Sequence, residues 1–337
     1  GVERSLIVTV EGDEASDENS RPLRLVVLDA SGEEELTGVD VEEGEVDLGE
    51  VLPKIWSIGR EGKTIYLQLT RGIERIGSAV VLIPMVSHPP ITDGLTARLR
   101  RAVTESPAAV EQLSRLSQRR LLLLKELISV GDPPERNVFS GFRTAMDRDL
   151  VLKTSMGEMR FALDESEAPE TIRHISTLVE GGYYTDVVFH RVVRENETGH
   201  PFIIQSGDPT GTGFGGPGYM VDFESSEIPH RFGTISLARS PTDPNSGGSQ
   251  FFVCLSREAC ASLDGRFASF GQLIHGAEIL DRISAVPVGP ADEDDPLSPL
   301  ELPLTPVVIR EAILVDAPAH GTGRDAAEAD DVPAVVR

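Results

Sequence analysis

The chain has 337 residues with a 39% hydrophobic share, enough apolar material for about two globular domains. Its formal net charge of −24 excludes nucleic acid as a natural partner, because a phosphate backbone is drawn to Lys/Arg clusters and repels an acidic surface. No apolar run approaches the roughly 18 consecutive residues that a spanning helix needs, so no membrane span is expected.

Residues 1–90 read as a β-rich domain of unknown role. The segments SLIVTV (5–10), LRLVVLDA (23–30), TIYLQLTR (64–71) and SAVVLIPM (78–85) are rich in β-branched residues and are separated by Gly/Asp/Glu/Asn clusters. A small antiparallel sandwich or barrel follows from that spacing. The acidic stretch Asp29–Glu50 reads as a solvated edge or loop, since its carboxylates lack the spacing of a calcium loop.

Residues 91–146 read as a helical connector. Within SPAAVEQLSRLSQRRLLLLKELI the leucines at 113, 116, 121, 124 and 127 make one broad apolar face. GDPPERN (131–137) ends the pattern with two prolines. Packing onto one of the chain's own domains, or a homodimer through this helix or the N-terminal domain, would cover that face.

Residues 147–316 read as a mixed domain. DLVLKTSMGEMRFAL (149–163) predicts a hairpin turning near Met156-Gly157. APETIRHISTLVEGG (168–182) predicts a helix with Pro169 at its entry and Gly181-Gly182 at its exit, and HGAEILDRISAV (275–286) predicts a second. Residues 317–337 are small, polar and acidic, and are expected to form a disordered tail.

The familiar chemical motifs fail on context. Gly211, Gly213 and Gly216 match G-x-G-x-x-G, but Pro217-Gly218 stands where a helix should open. The seven histidines show no paired metal spacing and no G-x-S-x-G elbow exists, so neither a metal nor a cofactor is expected. Cys254 and Cys260 read as unpaired thiols and leave the compartment open. A start at Gly1 fits a trimmed, exported chain, periplasmic in a bacterial host, and a cytoplasmic location also stays open.

Four blocks remain: VVFHRVV (187–193), PFIIQSGDPTGTGFGGPGY (201–219), GTISLARSPTDPNSGGSQFFVCLS (233–256) and LDGRFASFGQL (263–273). Arginine, glutamines and phenylalanines converging on glycine-rich turns suit the binding of an extended, partly apolar peptide. In this order the blocks resemble the cyclophilin family of peptidyl-prolyl cis-trans isomerases over roughly residues 148–316. The resemblance implies a mainly β chain whose C-terminal domain is a closed eight-stranded antiparallel β-barrel capped by two helices. It implies that Arg191 is the catalytic arginine and that Phe202, Ile203, Phe252 and Leu263 wall a proline pocket, with Phe267 where a histidine is common. Gln205 and Gln250 correspond to the polar groups that orient peptide and arginine. Ala238 and Arg239 correspond to the segment whose backbone holds the substrate chain, and His190 to a residue that orients the arginine at most.

The function so implied is rotation of X-Pro bonds in client polypeptides, assisting their folding, with no cofactor. The competing reading is a proline-peptide scaffold or holdase in which catalysis is incidental. Three departures bear on substrate choice. Ser262 stands where a large residue is usual, Ile203 replaces a common methionine, and ENETGH (195–200) is inserted between Arg191 and Phe202.

Overall fold

The structure, a computed structural model, describes residues 6–10, 22–86, 139–290 and 300–327. The connecting helix expected within 93–130 lies outside the described residues.

In the N-terminal part the four expected strands form. They are β1 (Ile7–Val10), β2 (Leu23–Leu28), and, after two further strands, β5 (Ile65–Arg71) and β6 (Glu74–Val86). The acidic stretch supplies β3 (Glu35–Val41), β4 (Gly44–Asp47) and the short helix α1 (Leu48–Val51), followed by α2 (Ile55–Gly59). β3 is the edge of a five-stranded antiparallel sheet ordered β3-β2-β5-β6-β7, so the acidic residues do sit on a solvated edge. The fifth strand, β7 (Phe139–Met146), corrects the expectation that 139–146 belong to a helical connector. Two sequence features concealed it: a polar alternation, FSGFRTAM, and a proline-rich stretch just before it.

Both faces of this sheet are covered, which explains the near-continuous apolar runs. Leu25, Val27, Ile65, Leu67 and Leu82 pack with Leu48 and Ile55 on one face. Val26, Leu28, Tyr66, Ala79 and Val81 pack on the other. The β5–β6 connection turns through Gly72 and Ile73, with Gly72 at φ 67, a conformation glycine adopts without steric cost.

Asp147 alone separates β7 from β8 (Arg148–Thr154). The C-terminal part continues through β9 (Gly157–Leu163), α3 (Pro169–Glu180), β10 (Val187–Val188), β11 (Arg191–Val193), β12 (Ile203–Ser206), β13 (Thr234–Leu237) and β14 (Phe251–Cys254). It ends with α4 (Arg257–Cys260), β15 (Ser269–His275), α5 (Ala277–Ser284), β16 (Val288–Pro290), β17 (Leu300–Pro303) and β18 (Val308–Asp316). The expected hairpin and both expected helices are present. Nine strands pair in the order β10-β18-β8-β9-β15-β13-β14-β12-β11. Laid flat, nine strands would hold their outer members about 38 Å apart. Only Phe189 and His190 separate β10 from β11, a stretch that reaches about 11 Å at most, so the sheet must curl. Where a closed eight-stranded barrel was expected, the structure has a curled nine-stranded sheet. Its concave face packs Phe161, Phe189, Phe251, Phe270 and Tyr184 against α3 and α5. No helix among the described residues is long and apolar enough to cross a membrane.

The tail expected to be disordered from residue 317 is packed as far as Ala327. His320 stacks on Tyr66 with ring centroids 3.4 Å apart, and its backbone N–H donates to Gln68 Oε1 at 2.9 Å. Ala327 N–H donates to the Leu273 carbonyl at 2.8 Å. Arg324 Nε and Nη2 donate to Asp149 Oδ1 at 2.8 and 2.5 Å. Arg324 Nη1 also lies 2.8 Å from Asp147 Oδ1, an ion-pair distance without hydrogen-bond alignment. Both aspartates are fully buried, and Arg160 Nε donates to the other Asp149 oxygen at 2.7 Å. Composition alone reads this segment as disorder because its few anchors, a histidine and an arginine, act only through partners far away in sequence.

Removing one member of a buried ion pair leaves an uncompensated charge, so Arg324→Ala should lower the urea-unfolding free energy by about 3 kcal/mol. A loss under about 0.5 kcal/mol, the scale of an ordinary surface change, would mean that the tail is not anchored there.

Glu165 supplies a pH test of the same region. Burial pushes its pKa from 4.5 to about 7, against the pull of Arg143. A raised folded-state pKa contributes stability that is complete below the unfolded value and is lost as pH rises from 4.5 through about 7. Glu165→Gln should therefore gain stability over wild type as pH rises from 5 to 8, by up to about 3 kcal/mol. Parallel melting-temperature curves for the two proteins across that range would contradict this.

Candidate functional site

Strands β11, β12 and β14 are short runs buried on both faces. Val192, Ile204, Val253 and Phe251 point into the main core. The alternate residues Val193, Ile203, Phe252 and Cys254 point the other way, as the period of two requires. There they meet Ala238, Ala259, Cys260 and Leu263 to form a second apolar cluster, with Phe202 and Phe267 packed against it. Six sequence-predicted residues, Phe202, Ile203, Ala238, Phe252, Leu263 and Phe267, thus come together in one place. The Phe252 and Phe267 rings meet edge to face at 5.3 Å, and the Arg239 guanidinium lies 4.7 Å over the Phe267 ring. Arg239 Nε and Nη2 donate to the Arg266 carbonyl at 3.0 and 2.7 Å, which fixes that arginine as a roof.

The floor contains groups the sequence did not single out. His230, fully buried, stacks behind Phe252 at 5.9 Å. Its Nδ1 lies 3.0 Å from Asp264 Oδ1 and its Nε2 lies 2.9 Å from Ser236 Oγ. Burial keeps the His230 pKa below its usual value. Cys254 and Cys260 are both free thiols and both fully buried, as unpaired thiols were expected to be, and the Cys260 thiol donates to the Phe202 carbonyl. Burial pushes the Cys254 thiol well above its usual range. Ser262 is exposed at the rim. The inserted segment 195–200 closes on itself: Asn196 Oδ1 accepts from the Thr198 and His200 N–H groups at 3.0 and 3.1 Å.

The polar side of the site follows from strand register. Arg191 lies directly opposite Gln205, and Gln205 directly opposite Phe252. Arg191 Nη1 donates to Gln205 Oε1 at 3.3 Å, and Gln205 Nε2 donates to Gln250 Oε1 at 2.9 Å. Gln250 Nε2 in turn donates to the Gly213 and Gly215 carbonyls, each at 2.9 Å. Each amide is therefore oriented by the next. On its other side Arg191 meets Glu301 of β17, with Nε donating to Oε2 at 2.5 Å and Nη2 to Oε1 at 3.2 Å. Sequence reading missed Glu301, which is 110 residues away from Arg191 and lies in a Pro/Leu-rich stretch.

The glycine loop that receives Gln250 is built round the fully buried Asp208. Its carboxylate accepts from the N–H groups of Thr210, Gly213 and Gly215 at 2.7, 2.6 and 3.0 Å. Burial works against its charge, but the bonds from Thr210, Gly215 and Gly213 outweigh it and hold the pKa at about 2. A Cβ on Gly215 would lie 2.0 Å from Asp208 Oδ1, so only glycine fits. His190 is buried, burial keeps its pKa low, and neither ring nitrogen has a hydrogen-bond partner among the described residues. It therefore does not orient Arg191 by a direct bond.

Beside the apolar pocket runs a groove of about 1010 Å³ lined by Gln205, Phe214, Tyr219, Arg239, Ser240 and Gln250. The whole has two held guanidinium groups, Arg191 and Arg239, an apolar cup and an adjoining trough.

Asp208→Ala should unravel the loop that holds Gln250, leaving buried N–H groups unpaired at about 1–3 kcal/mol each. Hydrogen exchange at residues 210–215 should speed up accordingly, and wild-type protection there would contradict the assignment.

Comparison with known proteins finds relatives of the C-terminal half of the chain. The sequence pattern of the family described as "Cyclophilin type peptidyl-prolyl cis-trans isomerase/CLD" matches residues 150–310. A protein of Emericella nidulans named peptidyl-prolyl cis-trans isomerase-like 1 is 38% identical over 162 residues, covering 47% of this chain and 93% of the relative. A peptidyl-prolyl cis-trans isomerase of Synechococcus elongatus is 39% identical over 122 residues, covering 36% of this chain and 77% of the relative. A solved Cryptosporidium parvum cyclophilin type peptidyl-prolyl cis-trans isomerase, determined in the presence of the dipeptide ala-pro, is 31% identical. It covers 50% of this chain and 98% of its own, with a TM-score of 0.43.

Proposed function

This chain belongs to the cyclophilin-type peptidyl-prolyl cis-trans isomerase family, and from that premise we propose that Arg191 is the group that acts on the X-Pro bond. The enzyme is an isomerase: it rotates X-Pro peptide bonds and makes or breaks no covalent link. Rotation meets a barrier of about 18–20 kcal/mol because it destroys amide conjugation. In the twisted state the proline nitrogen becomes pyramidal and gains a lone pair. The Arg191 guanidinium donates a hydrogen bond to that lone pair, which the planar amide does not offer, so the interaction favours the transition state. Arginine suits the task because it stays protonated and its donors lie in a rigid fork.

The remaining residues hold the substrate. Phe202, Ile203, Phe252, Leu263 and Phe267 take the proline ring, and Arg239 roofs the cup. Gln205 and Gln250 fix the arginine and the peptide, while the backbone at Ala238 and Arg239 guides the chain along the groove. The clients are proline-containing polypeptides whose folding waits on this isomerisation. The observation that carries the reading is the union of a guanidinium, held by Gln205, with an apolar cup on the same face of one sheet. His190 supports the glycine loop by packing. We also take Val187–Val193 as one strand interrupted at Phe189-His190. Counted so, the nine strands become a closed ring of eight, capped by α3 and α5.

The test is a protease-coupled assay on a short X-Pro peptide. Arg191→Ala should lose about a hundredfold in kcat/KM, the scale of one lost transition-state donor. If Arg191→Ala kept the wild-type rate, or if wild type matched the uncatalysed rate, the reading would be wrong and a peptide-binding scaffold would take its place.

A further inference from the structure

We propose that Glu301 is a positioning residue for Arg191, holding the guanidinium in one plane while leaving its outer N–H groups for substrate. This rests on the reading of Arg191 as the acting group.

Arg191 opens an edge strand, and its side chain is 37% exposed. A free arginine side chain carries about 2 kcal/mol of rotamer entropy, and a swinging donor would meet the twisted amide only part of the time. Gln205 contributes one bond, at 3.3 Å, to one end of the fork. A single bond leaves the plane free to pivot. Glu301 supplies the two bonds that stop this, one to Nε and one to Nη2. This side-on bidentate geometry gives orientation as well as attraction. Of the five N–H donors of a guanidinium, three are then committed, and one remains on each Nη. Two free donors at the outer end are what a carbonyl oxygen and a developing nitrogen lone pair need.

The carboxylate is itself held. Its side chain is 18% exposed, half the value for Arg191, so water screens the pair only in part. It stands on β17, which pairs with β16 through Val288↔Pro303 and Gly289↔Leu302. The hairpin is tied at its base by the Leu304 N–H to Pro287 carbonyl bond at 2.9 Å, and β17 lies against β11. Among the described residues no other carboxylate lies within ion-pair distance of Arg191. A peptide covering the site would strip water from the guanidinium, and the paired carboxylate lowers the cost of that desolvation.

The experiment measures kcat and KM separately for wild type, Glu301→Ala, Glu301→Gln, Arg191→Ala and the double variant Arg191→Ala/Glu301→Ala. Circular dichroism confirms that each is folded. The Arg191 Nε–H resonance is followed in parallel by ¹H–¹⁵N NMR. Glu301→Ala should lower kcat by about tenfold with KM within about twofold, less than the roughly hundredfold that a 1 Å misplacement can cost. Glu301→Gln keeps an acceptor for Nε and should recover most of kcat. In the Arg191→Ala background the loss of Glu301 should have no further effect. The Nε–H resonance should stand apart in wild type and Glu301→Gln, and merge with those of the mobile arginines in Glu301→Ala.

If Glu301→Ala keeps or gains kcat while Arg191→Ala is inactive, the positioning role is overturned and the reading of Arg191 stands. An equal loss in the Arg191→Ala background also overturns it, since Glu301 would then act through the hairpin alone. Full activity of Arg191→Ala would overturn the reading of the site itself.

Discussion

The site depends on the register of three short strands. Arg191, Gln205 and Phe252 stand in one row across β11, β12 and β14, and Val193, Ile203 and Cys254 stand in the next row on the same face. The residues between them, Val192, Ile204 and Val253, fill the core behind. A slip of one residue would send the arginine into the core and the core valines into the cup. Both faces are buried, so the penalty applies on both sides and the register is held twice over. The same alternation thus builds the fold and places cation beside cup.

Fixing a guanidinium at the edge of such a sheet requires polar partners whose own orientation is settled. The relay meets that need with terminal groups that do not titrate near neutrality. Gln250 is oriented by backbone carbonyls of the glycine loop, and those are held by Asp208, whose pKa of about 2 keeps it ionised. The order of dependence runs from a buried carboxylate to a loop, from the loop to two amides, and from the amides to the arginine. A chain of fully satisfied hydrogen bonds in a partly dry site gains strength from each member and loses it sharply when one is missing. Nothing in the relay moves a proton, which suits a reaction that moves none.

Much of this was legible in the sequence and some was not, for identifiable reasons. The glycine-rich turns, the paired glutamines and the phenylalanines lie close together in blocks, so their pattern survives reading in one dimension. The hairpin at Met156-Gly157 and the helices at 169–180 and 277–284 announce themselves through local turn and cap residues. Glu301 and His230 give no such sign, because each acts through a partner at long range: Glu301 on Arg191, His230 on Phe252 and Asp264. Asp208 was visible only as part of a glycine motif whose usual meaning did not apply. His190 was given an orienting role at most, and it is a buried histidine without a bond to Arg191, since adjacent residues on an extended chain point to opposite faces. The packed tail was misread for the converse reason, as its composition is that of disorder while Arg324 and His320 find buried partners.

Those buried partners also settle how the two sheets are joined. A single residue, Asp147, links β7 to β8, and its N–H and carbonyl are both used, by the Ala79 carbonyl and the Ala317 N–H at 2.9 and 3.1 Å. Its carboxylate takes Arg324, and His320 Nδ1 lies 3.3 Å away. This linking residue is thus held by both of its backbone groups and by an ion pair on its carboxylate. The tail then crosses back from β18 to the N-terminal sheet, where the Arg75 guanidinium donates to the His320 carbonyl and, at 2.6 Å, to that of Gly32. The chain therefore passes between the sheets three times: at Asp147, from Ala317 to His320, and again where Arg324 and Ala327 return to Asp149 and Leu273. The N-terminal sheet is therefore joined to the sheet that carries the cup through buried hydrogen bonds and an ion pair as well as through the chain itself.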